Sequence, residues 1–267
     1  NCMNGNLMDT TCNEIISETQ LNISNLGLSD ITGIHYFVNL QYLECFNNQI
    51  SFLPNLPDSL IELNCGDNPL NTLPLLPNAL NKLICYSSNL STLPMLPPQL
   101  TVLRCQNNQL TQLPLLPTTI IDLFCNNNLL TSLPPLPPNL PYLYCYNNNL
   151  TSLPSLPSTI LSLNCGYNQL AVIPILPNSL VTLICTNNLL VSLPTLPNSL
   201  KSLHCSDNQL NGLPNLPGTL TSLLFSNNNI SCLPTLPNIL LSGNFNSSNN
   251  PFSCVPNFIP EIEERRV

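Results

Sequence analysis

Charged residues are scarce in this sequence. They make up 7% of its 267 positions, and the five Lys and Arg residues are outnumbered by thirteen Asp and Glu, for a net charge of −8. Binding to nucleic-acid phosphates requires a basic surface, so the composition argues against a nucleic-acid partner and equally against an anionic membrane surface. Disorder is also excluded, because 43% of the residues are hydrophobic.

Long hydrophobic runs and catalytic motifs are missing as well. No run of 18 apolar residues occurs, so we expect no membrane insertion. The chain starts with Asn1-Cys2-Met3 instead of a charged segment and an apolar segment; if the protein is exported, we expect its signal peptide to have been removed. The two histidines, His35 and His204, sit in no Ser, Cys or carboxylate constellation, and no phosphate loop occurs. We therefore expect no enzyme activity and no cofactor.

Cysteine and proline are abundant instead, with 13 and 28 residues. Residues 40–239 divide into ten blocks of 20 residues with the pattern Leu-x-x-Leu-x-Cys-x-x-Asn-x-Leu-x-x-Leu-Pro-x-Leu-Pro-x-x. Phe225 takes the cysteine position of the tenth block, and the other nine hold Cys45, Cys65, Cys85, Cys105, Cys125, Cys145, Cys165, Cys185 and Cys205.

Weaker copies of the repeat flank this array. Residues 21–39 repeat its apolar spacing and predict an N-terminal coil, preceded by a cap at residues 1–20. Residues 240–267 predict a final coil and C-terminal cap, because Asn250-Pro251-Phe252 resembles Asn68-Pro69-Leu70. We expect residues 1–267 to form a single repeat domain, because each coil must bury its apolar face against the next.

Each position of the repeat has a physical role. Apolar residues alternate with variable ones in segments such as Leu43-Glu44-Cys45, which predicts one short strand per coil and parallel pairing between coils. The two prolines disfavour helix, so the return segment should be extended or polyproline-like. The repeated Asn, as in Asn48 and Asn68, should satisfy backbone groups where the chain turns. We call this series of repeated Asn residues the Asn ladder, and Ser88 interrupts it.

The 20-residue unit with Leu-Pro-x-Leu-Pro resembles the short bacterial class of leucine-rich repeats, which occurs in secreted effectors of enteric pathogens and in Bacteroidetes surface proteins. The resemblance implies a leucine-rich-repeat solenoid, formally α/β but mostly β here, with a concave parallel sheet that serves as a general binding scaffold. Some effectors carry a catalytic ligase domain with a nucleophilic Cys; because this chain ends at Val267, we do not carry that activity over. Cys in the strand resembles the Bacteroidetes proteins more, which implies a secreted or cell-surface location.

The cysteines fall into two groups. The nine repeat cysteines predict buried free thiols, because parallel side chains do not converge on a metal and no CxxC pair occurs. The other four, Cys2, Cys12, Cys232 and Cys254, bracket the two ends of the array. They predict one disulfide at each cap, with free thiols as the alternative, and disulfides would imply export.

Acidic residues cluster near the start of the sheet. Glu44, Glu62 and Asp67 could bind a cation, but no coordinating loop accompanies them, so a solvated acidic surface is the favoured interpretation. We assign no metal.

The exposed positions of the strands carry the candidate binding site. Aromatic and Arg side chains dominate binding hot spots, and they concentrate in the central repeats. The alternative is that these rings only stabilise the sheet. The predicted contact residues are Tyr86, Arg104, Phe124, Tyr142, Tyr144, Tyr146 and Tyr167.

These features predict a non-catalytic extracellular or cell-surface module that recognises a protein or glycan through its concave face. Two alternatives stay open. One is a structural element that packs its Leu-Pro-rich outer surface within a larger surface complex, and the other is a translocated effector that acts by protein binding.

Overall fold

The computed structural model describes residues 12–238, 240 and 243–254, and the backbone of residues 3–4 and 7–8. The chain forms two compact units, Asn1–Leu129 and Leu130–Val267. The predicted single domain therefore stays a prediction. Cys2 and the C-terminal residues 255–267 lie outside the described residues.

Unit 1 starts with an antiparallel pair, β1 (Met3–Asn4) and β2 (Leu7–Met8). The helix α1 (Asn13–Ser17) and a 3-10 helix (Thr32–Tyr36) flank the first strand of the parallel sheet. The parallel strands pair in chain order. They are β3 (Gln20–Asn22), β4 (Tyr42–Glu44), β5 (Glu62–Asn64), β6 (Lys82–Ile84), β7 (Val102–Arg104) and β8 (Asp122–Phe124).

Unit 2 contains six further parallel strands, which also pair in chain order. They are β9 (Tyr142–Tyr144), β10 (Ser162–Asn164), β11 (Thr182–Ile184), β12 (Ser202–His204), β13 (Ser222–Leu224) and β14 (Asn244–Asn246). In both units one strand per coil confirms the predicted repeat architecture, with almost no helix.

The strand register follows the 20-residue period. Leu63 lies opposite Leu43 and Leu83, and all three are at most 1% exposed. The strand residues on either side point to the exposed face, which places variable residues there, as β-strand alternation requires. Ile84 is an exception, because it is buried.

The Asn ladder forms as predicted. The Asn68 Nδ2 donates to the carbonyl of Cys45 in the preceding coil at 2.9 Å, and its Oδ1 accepts the Ile50 N–H at 3.0 Å. Ser88 interrupts the ladder only in part: its hydroxyl donates to the Tyr86 carbonyl at 3.0 Å and to the Cys65 carbonyl at 3.4 Å. The Ser88 hydroxyl thus keeps the donor contacts that Asn makes. Ser has no amide oxygen, however, to accept a backbone N–H of the preceding coil, as Asn68 does.

The two ends of the array differ in their closure. At the C-terminal end, the disulfide Cys232–Cys254 joins consecutive coils, with 4.8 Å between the Cα atoms. Asn250 takes over the ladder role, since its Oδ1 accepts the Ile230 N–H at 3.1 Å. Phe225 is fully buried and makes edge contacts with Phe245 and Phe252. At the N-terminal end, Cys12 is disulfide-bonded. Its predicted partner, Cys2, lies outside the described residues.

Candidate binding surface

Tyr86 is held by contacts inside unit 1. Its ring lies over Gly66, so closely that a Cβ atom on Gly66 would be 2.9 Å from the ring atom Cε1. Its hydroxyl hydrogen-bonds the carboxylate of Asp67. Burial, followed by the negative charge of Asp67, raises the pKa of the Tyr86 hydroxyl. Both the ring and the hydroxyl therefore have partners within the protein.

Arg104 is engaged in the same way. Its Nη2 and Nε donate to one carboxylate oxygen of Asp122 at 2.7 and 3.2 Å, and its guanidinium lies 5.2 Å from the ring centre of Phe124. An Arg held by a carboxylate and an aromatic ring is positioned as part of the sheet surface. Contact of Tyr86, Arg104 and Phe124 with a partner stays a prediction. Their internal contacts are the alternative explanation of why these residues are present.

The acidic residues near the start of the sheet are paired. Lys82 Nζ lies 3.0 Å from Glu62 Oε2, and Asn64 Nδ2 donates to Glu44 Oε2 at 2.7 Å. Within the described residues, no group of three or more His, Cys, Asp or Glu side chains is arranged to hold a metal ion. The carboxylates are thus partly satisfied by neighbours instead of being fully solvated.

The tyrosines of unit 2 are more available. Tyr142 is 45% exposed and Tyr167 is 56% exposed, while Tyr144 and Tyr146 are half-buried. Tyr142 lies opposite Ser162, and Tyr144 lies opposite Asn164. Tyr86, Tyr146 and Tyr167 lie two or three residues beyond the last residues of their strands, and their place in the binding surface stays a prediction.

Tyr167 adopts a left-handed backbone conformation with φ 53°. This conformation is unfavourable for a bulky L-residue, whereas Asn and Asp tolerate it. The same position in the other repeats holds Asn or Asp, with Ser87 as the exception; in unit 2 these are Asn147, Asn187, Asp207 and Asn227. A strained aromatic residue with an exposed ring is a feature typical of functional sites.

The residues of unit 2 around these tyrosines are neutral and have hydrogen-bonding groups available. Among the described residues, the hydroxyls of Tyr142, Tyr146, Tyr167 and Ser162 and the Nδ2 of Asn164 make no hydrogen bond to protein. In residues 130–254, Lys201 and Asp207 are the only Lys, Arg, Asp or Glu residues in the sequence. The surface can therefore offer aromatic faces and neutral donors.

Histidine chemistry is limited. His204 Nε2 lies 3.1 Å from the hydroxyls of both Ser202 and Ser222, and burial lowers its pKa. No described carboxylate orients this ring, so the arrangement lacks the third group of a nucleophilic triad. His35 borders a pocket of about 520 Å³ on unit 1, which contains none of the predicted contact residues.

The nine repeat cysteines are all buried, and none of them is in a disulfide. Burial raises the pKa of Cys125, Cys165 and Cys205 to about 12, which keeps these thiols protonated. The prediction of buried, unreactive thiols agrees with this geometry.

The comparisons with solved structures are consistent with this architecture. YopM from Yersinia enterocolitica WA-314 matches 92% of the chain with 32% identity and a TM-score of 0.83. YopM from Yersinia pestis, described as a leucine-rich effector protein, matches 92% of this chain with 30% identity and a TM-score of 0.60. The match covers 88% of the Y. pestis protein. The chain belongs to the leucine-rich-repeat proteins. It spans 58% of the Y. enterocolitica protein.

A more distant solved structure has the same fold. The functional domain of InlJ from Listeria monocytogenes, which includes a cysteine ladder, matches 94% of this chain at 20% identity with a TM-score of 0.70, and this chain covers 63% of the InlJ chain. At that identity the likeness concerns the fold alone. No family model matches the sequence, and no curated protein sequence matches it significantly. No helix among the described residues is long and apolar enough to cross a membrane.

Sequence analysis did not identify three features of this leucine-rich-repeat surface. Ser162 and Asn164 were not singled out, although they lie directly opposite the tyrosines of β9. The role of Gly66 beneath Tyr86 was also missed. The left-handed position of Tyr167 could have been found by aligning the repeats, because Asn or Asp predominates at that position.

Proposed function

We propose that this protein is a non-catalytic binding module that recognises a protein or glycan partner outside the cell through the exposed face of its parallel sheet. The observation that carries the proposal is Tyr167, whose ring is 56% exposed and whose backbone adopts φ 53° where most other repeats place Asn or Asp. A repeat protein that needed only a stable fold would be better served by Asn at this position. The exposed ring supports a role in contact with a partner.

The centre of the proposed surface lies in unit 2, at Tyr142 and Tyr167. Exposed aromatic rings contribute large contact areas at a small cost in side-chain entropy. Tyr86 and Arg104 receive a lesser role, because their polar groups already have intramolecular partners. The disulfide Cys232–Cys254 supports an oxidising, extracellular location, since such bonds persist there.

The test uses variants that restore the residue typical of the repeat. Tyr142→Ser places the residue found at 162, 202 and 222, and Tyr167→Asn places the residue found at 147 and 187. The full-length protein would be applied to an array of purified receptor ectodomains, matrix proteins and oligosaccharides. The double variant should weaken binding to the array ligand by roughly thirtyfold, about 2 kcal/mol.

Tyr42→Ser is the matched control, because it makes the same change at the equivalent strand position of unit 1. It should bind as the wild type does. If the double variant and the control bind equally well, the proposed surface is wrong. Melting curves of each variant would show that the fold is retained, since neighbouring coils share one core.

A structural role is the second candidate, favoured by the outer surface of unit 1. Leu75, Met95 and Leu115 occupy the same position in consecutive repeats and are 86%, 85% and 80% exposed. Exposed apolar side chains at a regular spacing could pack against a neighbouring molecule. Replacing Leu75, Met95 and Leu115 with Ser should abolish assembly only if the structural role holds.

The similarity to YopM supports the third candidate, an effector that acts by binding host proteins.

A further inference from the structure

The tyrosine face of unit 2 comprises Tyr142, Tyr146, Ser162, Asn164 and Tyr167. We propose that this face binds a neutral oligosaccharide, with the tyrosine rings against the sugar rings and with Ser162 and Asn164 hydrogen-bonded to sugar hydroxyls. This inference rests on the proposed function and names the chemical class of its partner.

The strand register places rings beside hydrogen-bonding groups. Tyr142 lies opposite Ser162 on the neighbouring strand, at the usual spacing of about 4.8 Å. Ser162 and Asn164 share one face of β10 and are about 6.6 Å apart along the strand. In the next turn, the Asn148 N–H donates to the Tyr167 carbonyl at 3.1 Å, which fixes the coil of Tyr167 beside that of Tyr146.

The hydrogen-bonding groups are oriented for a ligand with many hydroxyls. The Gly166 N–H donates to Asn164 Oδ1 at 3.3 Å, which fixes the amide through its oxygen. The Asn164 Nδ2 then has two N–H groups that no described protein atom accepts. A sugar ring offers hydroxyl oxygens to such donors and an apolar C–H face to an aromatic ring, so one ligand class satisfies both features.

A matched coil in unit 1 shows what the same groups do when they are used internally. Residues 60–70 and 160–170 share the core Leu-Asn-Cys-Gly, but Glu62 and Asp67 replace Ser162 and Tyr167. In unit 1, Asn64 Nδ2 donates to a glutamate, Glu62 pairs with a lysine, and Asp67 accepts from a tyrosine. In unit 2 the equivalent groups have no such partners among the described residues.

The charge distribution favours a neutral ligand. Lys201 is the only Lys or Arg in residues 130–254, and it precedes β12, two strands beyond β10. Within residues 130–200 the tyrosine face therefore offers no Lys or Arg side chain to an acidic glycan. A protein interface usually has an apolar, water-excluding centre, whereas small polar residues such as Ser162, Asn164 and Thr182 surround these rings.

The experiment titrates the full chain with cellohexaose, mannohexaose, laminarihexaose, xylohexaose and hexa-N-acetylchitohexaose. Oligogalacturonate and a heparin hexasaccharide serve as acidic controls. Because Trp is absent, intrinsic fluorescence reports on tyrosine, and calorimetry gives the affinity. We expect at least one neutral hexasaccharide to bind with a dissociation constant below about 1 mM. Asn164→Ala should weaken that binding by roughly tenfold, and Asn64→Ala, the same change in the matched coil, should leave it unchanged.

Three outcomes would overturn the saccharide assignment. They are no binding by any neutral hexasaccharide, equal binding of neutral and acidic sugars, and equal affinity in the Asn164→Ala and Asn64→Ala proteins. If an array protein binds instead and is lost in the Tyr142→Ser, Tyr167→Asn variant, the proposed function stands and the saccharide assignment fails. If saccharide binding survives that double variant, both fail.

Discussion

The side-chain amide of Asn188 joins its own coil to Leu170 in the coil before it: Asn188 Oδ1 accepts the Leu170 N–H at 2.9 Å. Its Nδ2 donates to the carbonyls of Cys165 and Cys185, each at 3.1 Å. The Asn is buried, so removing it leaves backbone groups without partners.

Asn188→Ala should lower the free energy of unfolding by about 1 to 3 kcal/mol. Asn188→Ser should cost less, because the Ser88 hydroxyl already shows that Ser can keep the donor contacts. Urea unfolding of both variants, beside Ser155→Ala as an exposed control, measures the difference. A loss no larger for Asn188→Ala than for Ser155→Ala would refute the ladder's contribution to stability.

Gly66→Ala should destabilise unit 1, because the new Cβ would lie 2.9 Å from the ring of Tyr86. The ring is held by its hydrogen bond to Asp67, so we expect a cost of about 1 to 3 kcal/mol. Gly218→Ala is the matched control, since nothing lies within 4 Å of its Cβ position. Thermal unfolding that ranks the two variants equally would show that the Gly66–Tyr86 contact is unimportant.

The nine repeat cysteines should resist alkylation in the folded protein. Burial raises the pKa of thiols such as Cys125 and Cys205 to about 12, so the reactive thiolate is rare at about pH 8, and the sulfur is also shielded. Iodoacetamide labelling followed by peptide mapping should find these nine sites unmodified in buffer and modified in guanidinium. Rapid labelling in buffer would mean that these thiols are accessible.

The protein should lose stability as the pH falls from about 7.5 to 5, because of His204. Burial lowers its pKa in the folded state, so the unfolded chain binds the proton more readily. The stabilisation is present above the unfolded pKa and is lost as the pH falls towards the folded pKa. His204→Gln should flatten this dependence in urea unfolding. A slope as steep in the His204→Gln protein as in the wild type would assign the effect elsewhere.

Much of the fold follows from the sequence because the repeat length equals one coil. A period of 20 residues places Leu63 opposite Leu83, and the apolar pattern then fixes which side of the strand is buried. The 3-10 helix Thr32–Tyr36 was not predicted. Residues 21–39 contain no proline, so helical backbone is allowed in this coil, and the Ile34 N–H donates to the Ile31 carbonyl at 3.0 Å.

The binding surface could be predicted only in part. The sequence indicates which positions are exposed, but it does not show which side chains already have partners. Tyr86 and Tyr146 occupy equivalent positions, yet only Tyr86 has an acidic neighbour, Asp67, that binds its hydroxyl. That distinction depends on residues one repeat away and on their side-chain orientation.

Tyr167→Asn should stabilise the protein, because Asn adopts a left-handed conformation more readily than Tyr. We expect a gain of about 0.5 to 1 kcal/mol in unfolding free energy. The reverse change at the equivalent position, Asn187→Tyr, should cost a similar amount. Urea unfolding of the two single variants tests this, and a stability loss in Tyr167→Asn would contradict the strain argument.

The central claim is that Tyr167 is kept for binding at the expense of stability, and the affinity of the Tyr167→Asn protein tests it most directly. Calorimetry with the ligand identified on the array should show a dissociation constant raised by roughly tenfold, about 1.4 kcal/mol, in a protein that unfolds no more easily than the wild type. Lost binding could not then be attributed to lost folding. An unchanged dissociation constant would contradict the claim and show that this exposed, strained ring does not contact the partner.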